Sequence, residues 1–363
     1  MNTEKKFFHS NTAIVTLFAA CFVVLISLGV RQTFGLFFID FNESLNISNT
    51  AFGFAIGTQM LMWGLTGPIF GAIADRFGGH VAIISSFLFY TLGVYFLYSG
   101  PNTGIFFQIH LGLLIGIGLG GTAISIPMSI VGKHFPLSNR TIAMSIVTAV
   151  GSFGYFISPI FTNYSLIEYG WNYTLFLFSL FLVTGLIAAY FVRSPKENEI
   201  VENRSDQSFK EALSEAFKSK SYILLVSGFF VCGFHITLVG THVPKYVIDR
   251  GLEDWTAAAI LSLIGLFNIF GSLLSGYLST KISKKVLLSA IYLLRGFSIA
   301  FFIFTPPSVL SAFIFGASFG FLWLSTVPAT SGIVAHLFGT KYLGLLYGIV
   351  FLSHQIGSFF GAY

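Results

Sequence analysis

The sequence predicts an all-α integral membrane protein built from two repeated helix bundles, and three observations carry that expectation. Of 363 residues, 55% are hydrophobic and only 9% charged, too little polar surface for a soluble domain of this length. About eleven stretches approach or exceed the roughly 20 predominantly apolar residues that a spanning helix needs. Short motifs also recur after about 205 residues, in corresponding helices.

Taken in order, the spans are expected at 13–39, 51–72, 80–99, 104–132, 140–163 and 171–193 (helices 1 to 6), then at 221–247, 255–279, 285–305, 308–333 and 343–363 (helices 7 to 11). The basic start MNTEKKFFHSN is followed by an apolar run of more than 25 residues with no small-residue cleavage pattern, so it reads as the first membrane helix and not a cleaved leader. The long polar stretch SPKENEIVENRSDQSFKEALSEAFKSKS separates helices 6 and 7. Within it Ser208 and Glu211 have capping-box spacing ahead of a short amphipathic helix. The expected organisation is an N-terminal six-helix bundle over 1–193, a cytoplasmic linker over 194–220 and a C-terminal bundle over 221–363.

Basic residues set the orientation. With the N-terminus cytoplasmic, Lys5, Lys6, Arg76, Lys133, Arg140, Arg193, Lys196, Arg204, Lys210, Lys218, Lys220, Lys281, Lys284, Lys285 and Lys341 fall inside, 15 of the 19 Lys and Arg, and only Lys245 and Arg250 outside. The +5 balance is therefore a topology signal and not a nucleic-acid footprint.

The repeat explains the two halves. GAIADRFGGH at 71–80, after helix 2, is echoed 205 residues later by GYLSTKISKK after helix 8, and GSFG at 151 in helix 5 by GSFFG at 357 in helix 11. A position 205 residues before Tyr363 lies inside helix 5, so the second bundle is expected to lack the rest of helix 11 and all of helix 12.

Several function classes find no support. Cys21 and Cys232 sit singly in apolar runs, implying neither disulfide nor metal cluster. GIGLGG in helix 4 follows no strand and is no dinucleotide loop, and there is no ATP-binding segment or catalytic His-Glu or Ser-His-Asp constellation. No enzyme activity, cofactor or nucleic-acid partner is expected.

The charges inside the membrane are more informative. None of the fourteen acids lies in the middle of a predicted helix, whereas Arg31 and Arg295 do. An arginine there costs at least about 2.5–3.5 kcal/mol. Arg31, in GVRQTFGLFF, lies about 27 Å along helix 1 at 1.5 Å per residue, past the midplane. Two readings stand: the side chain snorkels outward, or it faces a cavity and binds an anionic substrate that supplies the missing counter-ion. Gly29 and Gly35 flank it and permit a bend. The repeat pairs GVR at 29 with GFH at 233, which places His235 opposite Arg31 in a two-fold arrangement. Each histidine taken singly reads more simply as a hydrogen-bonded packing residue.

GAIADRFGGH resembles the signature between helices 2 and 3 of the major facilitator superfamily, with Gly71, Asp75, Arg76 and Gly78 matching and Gly79 and His80 where a basic pair is usual. GVRQTFGLFF, GFFVCGFHITLVGTHVPKYVIDRGL and YLLRG resemble the bacterial branch that groups with monocarboxylate porters and oxalate/formate antiporters. The resemblance implies a fold of two six-helix bundles and a gate in which Asp75 and Arg76 help hold the halves together. Physically, Gly78 and Gly79 allow the sharp turn, and Asp75 can pair with a cation or cap a neighbouring helix.

The resemblance also implies that helices 4 and 11 line the cavity, which makes His110, His354 and Gln355 candidates beside Arg31 and His235. Helix 8 lacks the arginine of that branch and offers Asn268 instead, which favours a monocarboxylate over a dicarboxylate. Helices 3 and 9 are peripheral in the superfamily, so Arg295 ranks below Arg31 and is expected to satisfy carbonyls at a helix contact. His242, near the outer end of helix 7, is an external gate or an interfacial residue.

The expected function is secondary transport of small organic anions, monocarboxylates above all, by alternating access, with a coupled proton or an exchanged anion as co-substrate. The alternative is efflux of amphipathic compounds, bound by the aromatic lining. The expected setting is the lipid bilayer of a bacterial inner membrane, multi-pass and monomeric.

Overall fold

The computed structural model describes residues 11–135, 137–194, 209–338 and 343–363. Lys5, Lys6, Lys196, Arg204 and Lys341, Ser208 of the capping-box reading, and the side chain of Arg140 lie outside the described residues. What is described is helical almost throughout, with no strand, and it falls into two compact units that divide between Ile200 and Val201.

In the first unit α1 covers Asn11–Leu45 but is not one α-helix. The α-helix Asn11–Gln32 gives way to a 3₁₀ turn at Phe34–Phe37 and resumes over Phe38–Leu45. It ends at Asn46 in the left-handed region, where Asn is tolerated. α2, Asn49–Phe77, starts on a Ser48 cap whose Oγ accepts from the Ala51 N–H at 3.1 Å. It stops at Gly78 with φ +96°, a conformation that favours glycine. Asp75 and Arg76 thus occupy the last turn of α2, so the expected loop shrinks to little more than Gly78.

Next come α3, Gly79–Ser99, and α4, Ile105–His134. α4 holds a π-helical stretch at Gln108–Leu114 and breaks at Ala123, whose backbone is extended. The helix Leu137–Ala189 turns sharply at Gly170 (φ 79°, ψ 170°), giving α5 over 137–169 and α6 over 171–189.

The second unit opens with the amphipathic helix Phe209–Lys218, followed by α7 at Lys220–Asp249, α8 at Asp254–Leu278 and α9 at Lys284–Phe304. α10, Val309–Phe338, begins on a Ser308–Ser311 capping box and breaks at 323–325, and α11 is Leu343–Ala362. Nine stretches among the described residues are long and apolar enough to cross a membrane; α5 and α6 count together, and α2 falls short. α2 carries Thr58, Gln59 and Thr66, which lower its mean hydropathy without preventing the helix.

The repeated glycine motif has a packing cause. α1 lies along α5 and α7 along α11. A Cβ on Gly154 would stand 2.5 Å from the Leu25 carbonyl, and one on Gly357 would overlap that of Phe230, 205 residues on from Leu25. Bare backbone at these positions lets paired helices approach closely, as small residues do in membrane bundles. Gly118 in α4 meets α3 in the same way, because a Cβ there would sit 2.7 Å from the Tyr90 nitrogen. Gly71 has no atom within 4 Å of such a Cβ.

These two glycines should therefore respond oppositely to Ala. Gly118→Ala should lower the thermal unfolding midpoint in detergent, at an overpacking cost of about 1–3 kcal/mol. Gly71→Ala should leave it unchanged or slightly raised, since Ala is the better helix former. Equal midpoints would contradict the packing described for α3 and α4.

Candidate functional site

Arg31 lies where α1 leaves α-helical geometry. Thr33 donates its Oγ1 hydrogen to the Val30 carbonyl at 2.9 Å, and the 3₁₀ turn follows. Of the two glycines expected to permit a bend, Gly35 lies inside that turn. Gly29 serves packing instead, since a Cβ there would run into Ser158 of α5.

The arginine is buried, with 7% of its surface exposed. Nη1 donates to Gln32 Oε1 at 3.3 Å, Nη2 points at Met60 Sδ at 3.2 Å, and Nε is buried without a partner. Tyr90 and Tyr155 are the ionisable groups close enough to feel its charge. Tyr90 directs its hydroxyl to the Ser27 carbonyl at 3.0 Å. Among the described residues no carboxylate pairs with Arg31. Beside it Gln32 Nε2 is also buried without a partner, as is Oε1 of Gln59, which precedes Met60 on α2 and bonds the Leu111 carbonyl through its amide nitrogen.

Arg295, in the second unit, has a different environment. It is fully buried, with Nε and Nη2 donating to the Leu322 carbonyl at 3.0 and 2.6 Å and Nη2 also to that of Trp323. These carbonyls belong to the break in α10. Nη1 donates to Cys232 Sγ at 3.0 Å. Asn268 works at the same break: its Oδ1 accepts from the Leu324 N–H at 2.9 Å and the residue is fully buried. Asn268 therefore braces backbone here.

His354 is buried on α11, with Nδ1 2.9 Å from Gln355 Oε1 and its ring stacked on Phe351. Gln355 Nε2 has no partner, and neither has His235 Nδ1, on a half-buried ring. Arg295 thus reaches Cys232, and His354 pairs with Gln355, all in the second unit, while Arg31 belongs to the first.

The remaining candidates disperse. His110 lies in the π-helical stretch, 3.3 Å from Asn102 Oδ1, with Phe96 and Phe106 about its ring. Its recorded partners are those of the α3–α4 connection, and none is shared with Arg31. His242 Nε2 bonds the Ala362 carbonyl at 2.9 Å, tying α7 to α11. Asp75 pairs with Lys133 of α4 at 2.7 Å, both well exposed, and Arg76 lies over the Phe77 ring. That ion pair lies within the first unit.

Sequence reasoning missed Cys232, Met60 and Gln59, and both helix breaks. The breaks had a signal: Pro127 and Pro328 follow them by a few residues, 201 apart, and a proline, having no N–H, leaves the carbonyl four residues before it without its helical partner.

The family model described as "Major Facilitator Superfamily" matches residues 20–362. Monocarboxylate transporter 6 of Mus musculus is 25% identical over 78% of this chain and 65% of that protein. The agnestins efflux protein AgnL12 of Paecilomyces divaricatus is 23% identical over 96% of this chain and 79% of that protein. Among solved structures, a bacterial homolog of the human lysosomal transporter Spinster superposes with a TM-score of 0.72 at 18% identity, over 97% of this chain and 82% of that one.

The two buried arginines should separate in stability. Arg295→Met strands the Leu322 and Trp323 carbonyls and should cost about 2 kcal/mol or more. Arg31→Met removes a charge held by one amide and one thioether and should change stability by less than about 1 kcal/mol, or raise it. Thermal unfolding of both variants in detergent measures the difference, and equal losses would refute it.

Proposed function

The chain belongs to the Major Facilitator Superfamily, and we propose that within it this carrier moves small organic anions, monocarboxylates above all, by alternating access. Arg31 is the observation that carries the reading. A guanidinium buried at membrane depth with only neutral partners is costly, and such charges are functional by default. A substrate carboxylate supplies the counter-ion, and the unpartnered Nε offers it a donor. Gln32 Nε2 is a second donor in the same surroundings.

In the second unit, Arg295 is engaged with α10 and α8 contributes no basic residue to its span, so among the described residues Arg31 is the membrane arginine left to match one negative charge. His235 and His354 with Gln355 are the proposed polar partners, while Asn268 and His110 have structural hydrogen bonds of their own. Likeness to monocarboxylate transporter 6 supports the substrate class, and a coupled proton or an exchanged anion completes the cycle. The orientation proposed is N-terminus cytoplasmic, with the Asp75–Lys133 pair and Arg76 at a cytoplasmic gate. Likeness to AgnL12 supports a second reading, efflux of amphipathic compounds, in which Arg31 plays no part in binding.

Uptake of labelled carboxylates into proteoliposomes distinguishes the two readings. Arg31→Gln should weaken monocarboxylate uptake roughly tenfold to a hundredfold, the loss expected for a charged hydrogen bond of about 1.5–3 kcal/mol. Unchanged uptake and affinity would remove the anion anchor, and competition by neutral amphipathic compounds alone would favour efflux.

Asp75→Asn tests the gate separately. The pair is exposed, so thermal stability should move by less than about 1 kcal/mol while turnover falls. Full turnover in that variant would reduce Asp75 to a surface residue.

A further inference from the structure

The second unit encloses an acid that carboxylate-based reasoning overlooks. Cys232 on α7 is 1% exposed, and three other helices present polar groups to it. Arg295 of α9 donates from Nη1 at 3.0 Å, with Tyr292 of the same helix nearby. Thr326 of α10 places its hydroxyl 3.4 Å away. From α11, His354 and Tyr347 lie near enough to interact electrostatically with the thiol. His235, one turn along α7, also feels Arg295. No carboxylate is among the groups recorded at the thiol.

A thiol in apolar surroundings is inert, whereas one beside a cation and an imidazole exchanges its proton readily. Cys21 represents the first case, buried in α1 with no cation recorded at it. Cys232 represents the second. Its imidazole neighbour is oriented in turn, because His354 Nδ1 is held by Gln355 Oε1. The imidazole that neighbours the acid is thus fixed by an amide, and the amide nitrogen of Gln355 remains unpartnered.

We propose that Cys232 is the proton-exchanging group of this carrier, alternating between thiol and thiolate against Arg295 while His354 relays the proton. In the forward step the S–H bond breaks, the sulfur keeps the electron pair as a thiolate beside the guanidinium, and the proton passes to the His354 imidazole. The imidazolium then releases it to water, and the reverse sequence reloads the thiol. No oxidant or reductant takes part. The use of that proton in symport rests on the organic-anion reading, whereas the chemistry of the thiol stands without it.

Two measurements keep the readings apart. In purified carrier with Cys21→Ala, the infrared S–H stretching band reports Cys232 alone. It should vanish as pH rises from mildly acid to mildly alkaline and should persist in the Arg295→Gln variant. A wild-type band that persists over that whole range overturns the proposal, whatever the substrate proves to be. In proteoliposomes, an inwardly directed gradient of about one pH unit should drive up to about tenfold accumulation of a labelled monocarboxylate.

Cys232→Ser keeps the hydrogen bonds but not the acid. It should reduce that accumulation to about onefold while exchange of labelled for unlabelled monocarboxylate at equal pH continues. Gradient-driven accumulation that survives Cys232→Ser overturns the proposal, as does wild-type uptake indifferent to the gradient. Failure of the wild type to move any carboxylate overturns the organic-anion reading instead, and the infrared titration still decides the role of the thiol.

Discussion

Carbonyls freed at a helix break inside hydrocarbon have no water to bond, so protein groups must take them up. α10 breaks at 323–325, and much of the second unit is organised by that requirement. Arg295 comes in from α9 with Nε and Nη2 on the Leu322 and Trp323 carbonyls. From α8, Asn268 accepts from the Leu324 N–H, and Ser275 donates to the Ser325 carbonyl. A planar guanidinium suits the task, because its donors diverge in fixed directions and it stays charged when buried. The remaining arm reaches Cys232, so α7 joins α8, α9 and α10 in one polar cluster.

The first unit has a break as well, with hydroxyl groups and not a cation near it. α4 breaks at Ala123, and hydroxyl groups brace the approach to it. Thr122 bonds the Gly118 carbonyl at 2.9 Å and meets Ser27 at 2.7 Å, and Tyr90 donates to the Ser27 carbonyl. Tyr90 occupies in α3 the place that Arg295 occupies in α9, 205 residues later. The two repeats thus share architecture but have exchanged their charges: the second unit holds its arginine on backbone, whereas the first keeps one on α1 with only Gln32 and Met60 as partners. Divergence of this kind is open to a duplicated fold, because neutral and charged donors can each satisfy a carbonyl.

Much of this was legible in the sequence, for reasons that differ by element. The spans were readable because each must be apolar over a length fixed by the bilayer, and that signal survives irregularity within a helix. The 3₁₀ turn after Arg31 and the π-helical stretch around His110 leave hydropathy untouched, so nothing in composition announced them. Arg295 was legible as a carbonyl-satisfying residue, but its other partner, Cys232, was hidden because a cysteine in an apolar run reads as a small hydrophobe. Asn268 looked like a site residue for the opposite reason. A lone amide in a membrane helix stands out, and only the path of α10 reveals that its Oδ1 bonds backbone.

The distribution of charge also bears on what such a carrier can admit. On the reading proposed above, a monoanion entering beside Arg31 brings the local charge to zero and exchanges one desolvation cost for a charge-assisted hydrogen bond. A dianion would bring a second carboxylate. Arg295 is engaged with the α10 break and Cys232, and α8 supplies no further cation in its span. Two unit charges 4 Å apart interact by about 4 kcal/mol in partly shielded protein, so an excess charge without a partner weighs heavily against the dianion. On that reading, selectivity for single charge follows from the commitment of Arg295 to backbone, which leaves Arg31, among the described arginines within the spans, to meet the substrate.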